Sequence, residues 1–269
     1  MPSRLASTVH DKIWGTPHTE PWYRNPERRD IGEIWFPASD SVPILVKLLF
    51  TSVNLSVQVH PGDDYAWKHH HSRGKTEMWH ILRAEPDSKI ALGLREKVTP
   101  ERLREAAITG EIMQLLDWIP AQRGDTFFVP AGTIHAIGGG LVLCEVQQYS
   151  DITYRLYDYR RSRELHLDHA IAVSNLEPRV DAASATCSTR TTLVECPYFR
   201  TERLVVNGSW LSHSPARNTL YIALEGEGLF AGQPFRAGDA WEVETGSEPF
   251  EIESRNAVFL ITSQPVNVP

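Results

Sequence analysis

Two histidines and one glutamate stand on three separate strand-like segments, where their side chains could bind a metal ion. The segments read Leu-Ser-Val-Gln-Val-His-Pro (55–61), Gly-Lys-Thr-Glu-Met-Trp (74–79) and Gly-Asp-Thr-Phe-Phe-Val-Pro-Ala-Gly-Thr-Ile-His (124–135). If the segments are neighbours in a sheet, the side chains of His60, Glu77 and His135 can meet. Two imidazoles and one carboxylate leave coordination positions open for water or substrate, which is typical of a metal site that does chemistry.

The residues around these candidates are also polar and follow a strand period of two. Because residues i and i+2 of a strand share a face, Ser56 and Gln58 are expected to point the same way as His60. Lys75 is expected to share a face with Glu77. Gln58 offers a neutral oxygen, which could be a fourth ligand or could only hydrogen-bond near the site.

The chain is 269 residues long, with 41% hydrophobic and 23% charged residues and a formal net charge of −7. These values are typical of a globular protein with one large or two small domains. The negative charge argues against a nucleic-acid partner. The first 25 residues contain no apolar run of the kind that a signal peptide needs, and no run reaches the length of a membrane span. Three scattered cysteines predict no disulfide framework, and we expect a cytoplasmic protein.

Strands must position the candidate ligands, and short apolar segments from residue 43 onward predict them. The predicted strands are Ile44–Phe50, Leu55–His60, Glu77–Leu82, Lys89–Leu94, Thr126–Val129, His135–Ile137 and Leu141–Gln147. Lys47 lies inside the first of them, where an unpaired lysine is costly, so a role in a site is favoured over simple packing. Thr99, Pro100 and Glu101 predict a helix start, and a helical pair is expected over about 99–117.

The second half of the chain weakly repeats the strand and turn pattern of the first. If Gly238-Asp239 is aligned with Gly124-Asp125, Pro249 falls opposite His135, and no histidine follows His213. We therefore predict an all-β protein with a few helices and two β-domains, of which only the first carries ligands. The predicted parts are an N-terminal arm, irregular over residues 1–40, with a catalytic domain to residue 172, a linker over 173–190, and a degenerate domain over 191–269.

Several motifs resemble the cupin superfamily and, within it, the type I mannose-6-phosphate isomerases of the short bacterial form. They are Trp14-Gly15, Gly32-Glu-Ile-Trp35, Leu45-Val-Lys47, the three segments above, and Ser150-Asp-Ile-Thr-Tyr-Arg155. The resemblance covers about residues 12–170. It implies a cupin (double-stranded β-helix, or jelly-roll) barrel and an enzyme of carbohydrate metabolism that interconverts mannose 6-phosphate and fructose 6-phosphate, as a monomer or homodimer.

The resemblance also implies roles for individual residues. His60, Glu77, His135 and Gln58 match the metal-binding positions, and the implied cofactor is one Zn²⁺ per chain. Lys75, Asp151 and Arg155 match catalytic positions. Lys47 and Ser56 match substrate-binding positions. A lysine beside zinc and an arginine is expected to have a lowered pKa, so Lys75 could carry the proton, with Asp151 as its rival.

Two residues depart from the family pattern. Gly62 is inserted after His-Pro, and Gly74 stands where longer members carry a histidine before the lysine. The neighbouring run His69-His70-His71 is expected to form a solvated loop or rim.

Two other functions stay open at this point. The same ligands could hold Fe(II) in an oxygenase, although this leaves the cationic residues without a role. A metal-containing cupin that binds sugar phosphates without turnover is the second alternative.

Overall fold

The computed structural model describes residues 1–179 and 190–265. Its strands and helices are numbered in chain order. The first strands are β1 (Ser3–Arg4), β2 (Thr8–Thr16), β3 (Ile31–Phe36), β4 (Ile44–Phe50), β5 (Val57–Val59), β6 (Glu77–Ala84) and β7 (Lys89–Leu94). They are followed by β8 (Leu116–Pro120), β9 (Thr126–Val129), β10 (His135–Ile137), β11 (Leu141–Gln148) and β12 (Tyr154–Tyr157).

The helices all lie in the first two thirds of the chain, and the remaining elements are strands. The helices are α1 (Asp63–His70), α2 (Pro100–Thr109), α3 (Ile112–Leu115) and α4 (Leu167–Val173). The later strands are β13 (Arg190–Glu195), β14 (Arg200–Leu211), β15 (Thr219–Glu225), β16 (Glu227–Phe230), β17 (Gln233–Arg236), β18 (Ala240–Val243) and β19 (Glu251–Ser263). The predicted all-β class is confirmed, and no helix of the described residues is long and apolar enough to cross a membrane.

Two antiparallel sheets form a sandwich in the first half of the chain. One sheet has the strand order β2-β3-β4-β11-β6-β9, and the other has the order β12-β5-β10-β7-β8. They pack face to face through an apolar cluster that joins Leu49, Trp79 and Leu143 of the first sheet to Ile90 and Ile137 of the second. Every predicted strand of this half is present, with bounds that differ by a few residues.

The six-stranded sheet is covered on both faces, which explains why its central strand is apolar without alternation. In β4, Val46 and Leu48 belong to a cluster that also contains Leu220 and Ile222 of the C-terminal half. The intervening Lys47 and Leu49 point into the sandwich, because successive strand residues face opposite ways. The C-terminal half is therefore packed against the outer face of this sheet.

Helices cover the outer face of the five-stranded sheet. Thr99 caps α2, since its hydroxyl accepts a hydrogen bond from the Arg102 amide at 3.2 Å, and Pro100 opens the helix as predicted. Leu103 and Ala106 of α2 are fully buried in a cluster with Val57 of β5. The predicted helical pair over 99–117 is thus α2 and α3, with β8 beginning at Leu116.

The expectation of an irregular segment over residues 1–40 is wrong. Strands β2 and β3 lie in it and pair with each other, and β3 pairs with β4. The Trp, Pro and charged residues hide the period of these strands because they form the wall of a polar cleft. Strand β1 pairs with β18, so the chain begins in the sheet of the C-terminal half.

The internal repeat is present at the level of backbone hydrogen bonds. The Gly124 amide donates to the Ile81 carbonyl at 2.9 Å, and the Gly238 amide donates to the Ala223 carbonyl at 2.8 Å. In both copies the same strand residue donates back to the aspartate that follows the glycine, at 2.9 Å. The interior of the second copy is filled by rings, among them Phe230, which stacks on Trp241 at 4.2 Å. Most of the predicted linker, residues 180–189, lies outside the described residues.

Both departures from the family pattern meet at the start of α1. Gly62 is the N-cap of α1, and the Gly74 amide donates to the Asp63 carboxylate at 2.7 Å. A Cβ atom on Gly74 would lie 2.7 Å from backbone atoms of Pro61, Gly62 and Asp63, which is closer than atoms pack. The chain can therefore carry no side chain at residue 74 while α1 starts where it does.

We expect Gly74→Ser to lower the free energy of unfolding by about 1–3 kcal/mol, because the new Cβ forces the backbone of residues 61–63 to move. Gly62→Ser is the matched control, since a Cβ on Gly62 meets nothing within 4 Å and serine is a good N-cap residue. Urea unfolding of both variants checks this. Equal stability of the two serine variants would contradict the steric argument.

Candidate metal centre and charged cleft

His60, Glu77 and His135 converge between the two sheets. The Nε2 atoms of His60 and His135 each lie 3.5 Å from one of the two Glu77 carboxylate oxygens, and the three side chains are 1% exposed. Among residues 1–179 and 190–265 this is the one group of three or more His, Cys, Asp or Glu side chains whose ligand atoms lie within 4.8 Å of one another. The predicted convergence of the three residues is therefore present.

Each imidazole is held by a backbone carbonyl at Nδ1, the ring nitrogen that does not face Glu77. The His60 Nδ1 atom lies 2.8 Å from the Ile152 carbonyl, and the His135 Nδ1 atom lies 2.8 Å from the Thr133 carbonyl. A carbonyl only accepts hydrogen bonds, so each Nδ1 carries the proton and each Nε2 presents a lone pair toward Glu77. Metal-binding histidines are oriented in this way in most proteins.

The group fits a divalent cation on three further grounds. The Oε1 atom of Glu77 is buried without a hydrogen-bond partner, which is costly unless a cation or donor binds it. The Lys75 ammonium contacts both the Glu77 carboxylate and the His60 Nε2 atom, the latter at 3.1 Å, so positive charge already borders the ligand atoms. Two neutral imidazoles and one carboxylate are also a zinc-binding set.

Gln58 and Ser56 lie beside these ligands, as the strand period predicts. The Gln58 Nε2 atom lies 3.3 Å from His135 Nε2, and the Ser56 hydroxyl donates to Gln58 Oε1 at 3.1 Å. A half-turn of the amide exchanges its oxygen and nitrogen, so that the oxygen faces His135 and the nitrogen donates to Ser56. Gln58 is therefore within reach of the metal group, while its role as a ligand stays a prediction.

The charges of the site shift several pKa values. Burial lowers the pKa of His60 to about 4, with Lys75 adding to the effect, and burial also lowers the pKa of His135. Burial acts to raise the pKa of Glu77, but Lys75 and the two imidazoles lower it well below its usual value. Both imidazoles are thus neutral and the carboxylate is ionised at neutral pH, which is the form that binds a metal.

In the protein chain alone the pKa of Lys75 is raised, whereas the expected lowering assumed a zinc ion beside the ammonium. Burial acts to lower the pKa, but the carboxylates of Glu145 and Glu77 raise it above its usual value. The Lys75 ammonium lies against Glu77 and 3.7 Å from Glu145. These carboxylates favour the charged ammonium form of Lys75, and its role as a proton carrier beside zinc stays a prediction.

A cleft of about 300 Å³ lies beside this group and is separated from it by Gln58 and Lys75, which contact the group and line the cleft. It is lined by six of the residues that the sequence singled out, namely Lys47, Ser56, Gln58, Lys75, Asp151 and Arg155. The two sheets share them: the six-stranded sheet carries Lys47 and the five-stranded sheet carries Gln58 and Arg155. Asp151 is exposed and lies where the cleft meets solvent.

Lys47 is held inside the cleft by two neighbours that the sequence analysis did not single out. Its ammonium lies 3.4 Å from the Glu145 carboxylate and 4.4 Å from the centre of the Trp35 ring. Burial lowers the pKa of Lys47, although Glu145 opposes the shift. The Glu145 carboxylate also accepts a hydrogen bond from the Trp79 indole at 3.1 Å. The Glu145 carboxylate thus lies between the ammonium groups of Lys47 and Lys75, where β4, β11 and β6 are adjacent.

Glu145 could have been found by the reasoning that found Lys47, because it is a charged residue inside the apolar strand Leu141–Gln148. Glu33 and Trp35 appeared only within the family motif Gly32-Glu-Ile-Trp35 and were given no role. Strand β3 was not predicted, and their mutual hydrogen bond at 2.8 Å depends on the alternation of that strand.

Arg155 reaches the cleft beside Gln58, its register partner on β5. Its guanidinium donates to the Glu164 carbonyl at 2.7 Å, and its Nε atom is buried without a partner. Asp158 is paired with Arg161 and Arg163 instead. Arg155 thus lines the cleft and has donor capacity left at its Nε atom.

Histidines outside the metal group behave in two ways. His80 is buried on the opposite face of β6 from Glu77, and its Nδ1 atom lies 2.9 Å from the Thr126 hydroxyl. His69 and His70 are exposed but belong to α1, so the predicted solvated loop is mostly helical. His71 ends the helix in a left-handed conformation with φ of 53°.

No protein-family model matches the chain, but curated relatives do. Mannose-6-phosphate isomerase ManA of Bacillus subtilis is 38% identical over 231 residues, which cover 80% of this chain and 73% of the relative. Mannose-6-phosphate isomerase of Streptococcus mutans is 38% identical over 200 residues, covering 71% of this chain and 63% of the relative.

Solved structures agree with the sequence relatives. A crystal structure of the mannose 6-phosphate isomerase from Bacillus subtilis aligns with a TM-score of 0.86 and 26% identity, covering 97% of this chain and 99% of that chain. A putative mannosephosphate isomerase from Archaeoglobus fulgidus aligns with a TM-score of 0.80, 99% coverage of each chain and 19% identity. At that identity the second likeness shows the fold alone.

Acid should destabilise the protein through its buried imidazoles. Burial lowers the pKa of His80 to about 4, whereas unfolded imidazoles titrate near 6.5. Between these values the unfolded chain binds more protons, so the free energy of unfolding falls as the pH falls from about 6.5 to 4. We expect His80→Gln to remove roughly 1–3 kcal/mol of this loss.

Urea unfolding at neutral pH and near pH 4.5 measures the acid-induced loss of stability. It is run on the chelated wild type and on His80→Gln, with exposed His213→Gln as the control. The same loss in wild type and His80→Gln would show that His80 is not a source of the pH dependence.

Proposed function

The chain belongs to the mannose-6-phosphate isomerase family of aldose–ketose isomerases, and we propose that it interconverts mannose 6-phosphate and fructose 6-phosphate. The observation that carries this proposal is that the His60–Glu77–His135 group contacts Lys75 and Gln58. Both of these residues line a cleft that Lys47 and Arg155 also line. The protein has a net charge of −7, so a local cluster of cations is needed to attract an anionic sugar phosphate.

The reaction needs positioned protons and no redox cofactor. A proton moves from C2 to C1 of the open-chain sugar, and the hydroxyl proton on O2 moves to O1, so atoms and electrons balance. Negative charge builds on the two oxygens in the enediol-like state between substrate and product. Groups that stabilise this charge without moving are expected to supply most of the rate enhancement.

We propose that His60, Glu77 and His135 hold one Zn²⁺, with Gln58 as a possible fourth ligand. When bound there, zinc supplies a positive charge for the developing oxyanion and needs no change of oxidation state. The orphaned Glu77 oxygen and the two Nδ1-anchored imidazoles support the assignment. Zinc is favoured over magnesium and calcium because those ions prefer oxygen ligands.

The proton carrier is proposed to be Asp151 rather than Lys75. The carboxylates of Glu77 and Glu145 raise the pKa of Lys75, so its ammonium is suited to donating hydrogen bonds to the sugar oxygens. Asp151 lines the same cleft and is exposed, which lets a bound sugar approach its carboxylate. This division keeps both residues in the predicted catalytic group.

Lys47, Ser56 and Arg155 are proposed to bind the substrate. Lys47 is fixed by Glu145 and Trp35, so its ammonium is already oriented before a ligand enters. Arg155 has an unpartnered Nε atom and a planar fork suited to phosphate or paired sugar oxygens. We therefore propose a binding role for Arg155 in addition to the catalytic role that the family resemblance implies.

The two alternatives gain no support from the site. An Fe(II) oxygenase would use the same three ligands but leaves Lys47, Lys75 and Arg155 without a role. A binder without turnover rests on Gly62, Gly74 and the run His69-His70-His71. The start of α1 explains both glycines, and the run forms the end of the same helix. The monomeric or dimeric state and the cytoplasmic location stay predictions of the sequence.

Activity should depend on the bound metal and on Lys75 for separate reasons. In a coupled assay of mannose 6-phosphate conversion, we expect thorough chelation to remove most of the activity. Glu77→Gln should lower kcat/KM by about 10²-fold or more, since it removes the charged ligand. Lys75→Met should lose a comparable fraction while still retaining zinc in elemental analysis.

Full turnover after complete removal of the metal would overturn the proposed mechanism. Loss of zinc from Lys75→Met would instead assign Lys75 to metal retention. Binding of mannose 6-phosphate by the wild type without turnover would favour the non-catalytic alternative.

Loss of the Lys47 charge should weaken substrate binding. We expect Lys47→Met to raise KM about tenfold or more, because a hydrogen bond to a charged group contributes about 1.5–3 kcal/mol. Lys89→Met is the matched control, since Lys89 is an exposed lysine on β7. Steady-state kinetics over a range of substrate concentrations check this. An unchanged KM in Lys47→Met would exclude Lys47 from the binding site.

A further inference from the structure

A second group of imidazoles lies outside the cleft, where α1 meets α4. The ring centres of His69 and His70 on α1 are 6.5 Å apart, and they lie 5.4 Å and 5.9 Å from the ring centre of His169 on α4. Three imidazoles around one tetrahedral zinc, with Zn–N distances of about 2.1 Å, place their ring centres roughly 5 Å apart. The triangle of ring centres is therefore somewhat larger than that of a bound three-histidine site, and its nitrogens do not meet the 4.8 Å separation found in the His60–Glu77–His135 group.

Two tyrosine hydroxyls hydrogen-bond to two of the histidines, at one ring nitrogen of each. The Tyr65 hydroxyl lies 3.0 Å from His169 Nδ1, and the Tyr154 hydroxyl lies 2.6 Å from His70 Nε2. A hydroxyl can accept a hydrogen bond from a ring N–H, which leaves the opposite nitrogen of each ring with a lone pair. Tying the second nitrogen in this way orients imidazoles for metal binding.

The tyrosine rings also restrict how the histidines can turn. Tyr154 stacks on His169 with a centre-to-centre distance of 4.9 Å and an interplanar angle of 13°. Tyr65 stacks on His69 at 4.2 Å. These stacking contacts make the cluster more ordered than three histidines on an open loop would be. His169 lies about a hundred positions after His69 and His70 in the sequence.

We propose that His69, His70 and His169 form a surface site for a divalent transition-metal ion, separate from the catalytic group. Imidazole nitrogens suit Zn²⁺, Ni²⁺ and Cu²⁺, whereas Mg²⁺ and Ca²⁺ prefer oxygen. Small rotations of the exposed His69 and His70 side chains, within the limits set by Tyr65 and Tyr154, bring their nitrogens to the ion, and water completes the coordination. The ion links α1 to α4.

The test is a zinc count on untagged protein. Wild type, His169→Gln, His70→Gln and His213→Gln are chelated, dialysed against low-micromolar Zn²⁺ at pH 7.5, and analysed for zinc per chain. His213 is the control because it is exposed and far from the cluster in sequence. Thermal melts confirm that the variants are folded, and His70→Gln, which changes an exposed side chain, serves if His169→Gln is unstable.

We expect two zinc ions per chain in wild type and in His213→Gln, and one fewer in His169→Gln and in His70→Gln. Isomerase activity at low zinc is expected to be the same in all four proteins. Retention of the wild-type zinc count by either cluster variant would overturn the proposal. If the catalytic group bound no zinc, the wild-type count would be one and would still fall by one, so the two proposals fail separately.

Discussion

The site is organised by one electrostatic constraint, namely that the buried Glu77 carboxylate must be surrounded by positive charge or by hydrogen-bond donors. A carboxylate that is 1% exposed is tolerated only when it is paired, because the loss of hydration costs several kcal/mol. Lys75 satisfies one side, whereas the two neutral imidazoles face Glu77 with Nε2 lone pairs at 3.5 Å and supply no donor. The unpartnered Oε1 atom marks where this compensation is incomplete in the protein chain itself.

The sandwich supplies that surrounding because its two sheets contribute different groups. The six-stranded sheet carries the acidic and ammonium groups, Glu77, Glu145 and Lys47. The five-stranded sheet carries His135, with Gln58 opposite it. Lys47 and Glu145 pair within the six-stranded sheet, whereas His135 approaches Glu77 from the five-stranded sheet. The packing of the two sheets therefore assembles the metal-binding group. Apolar residues such as Trp79 and Ile81 fill the remainder of the interior.

The C-terminal half shows what the same turn and strand pattern becomes without ligands. Its Gly238 turn forms the same backbone hydrogen bonds as the Gly124 turn, but its interior is closed by stacked rings, including Phe230 and Trp241. This half covers the outer face of the six-stranded sheet, where Leu220 and Ile222 pack against Val46 and Leu48. Burial of both faces holds β4 and β6 rigidly, which keeps Lys47 and Glu77 in place.

The sequence by itself predicted the strands of the first half from residue 43 onward, the three metal-ligand candidates and Lys47, because each rests on local chemistry. The roles of Lys75 and Arg155 came from the family resemblance. Strand period placed Ser56 with Gln58 and Lys75 with Glu77, and the cost of burying a charge singled out Lys47. Only the tertiary structure decided the direction of the Lys75 pKa, since Glu145 reaches it from another strand. Long-range packing likewise decided the strands before residue 40 and the grouping of His169 with His69 and His70. A sequence pattern contains no information on such packing.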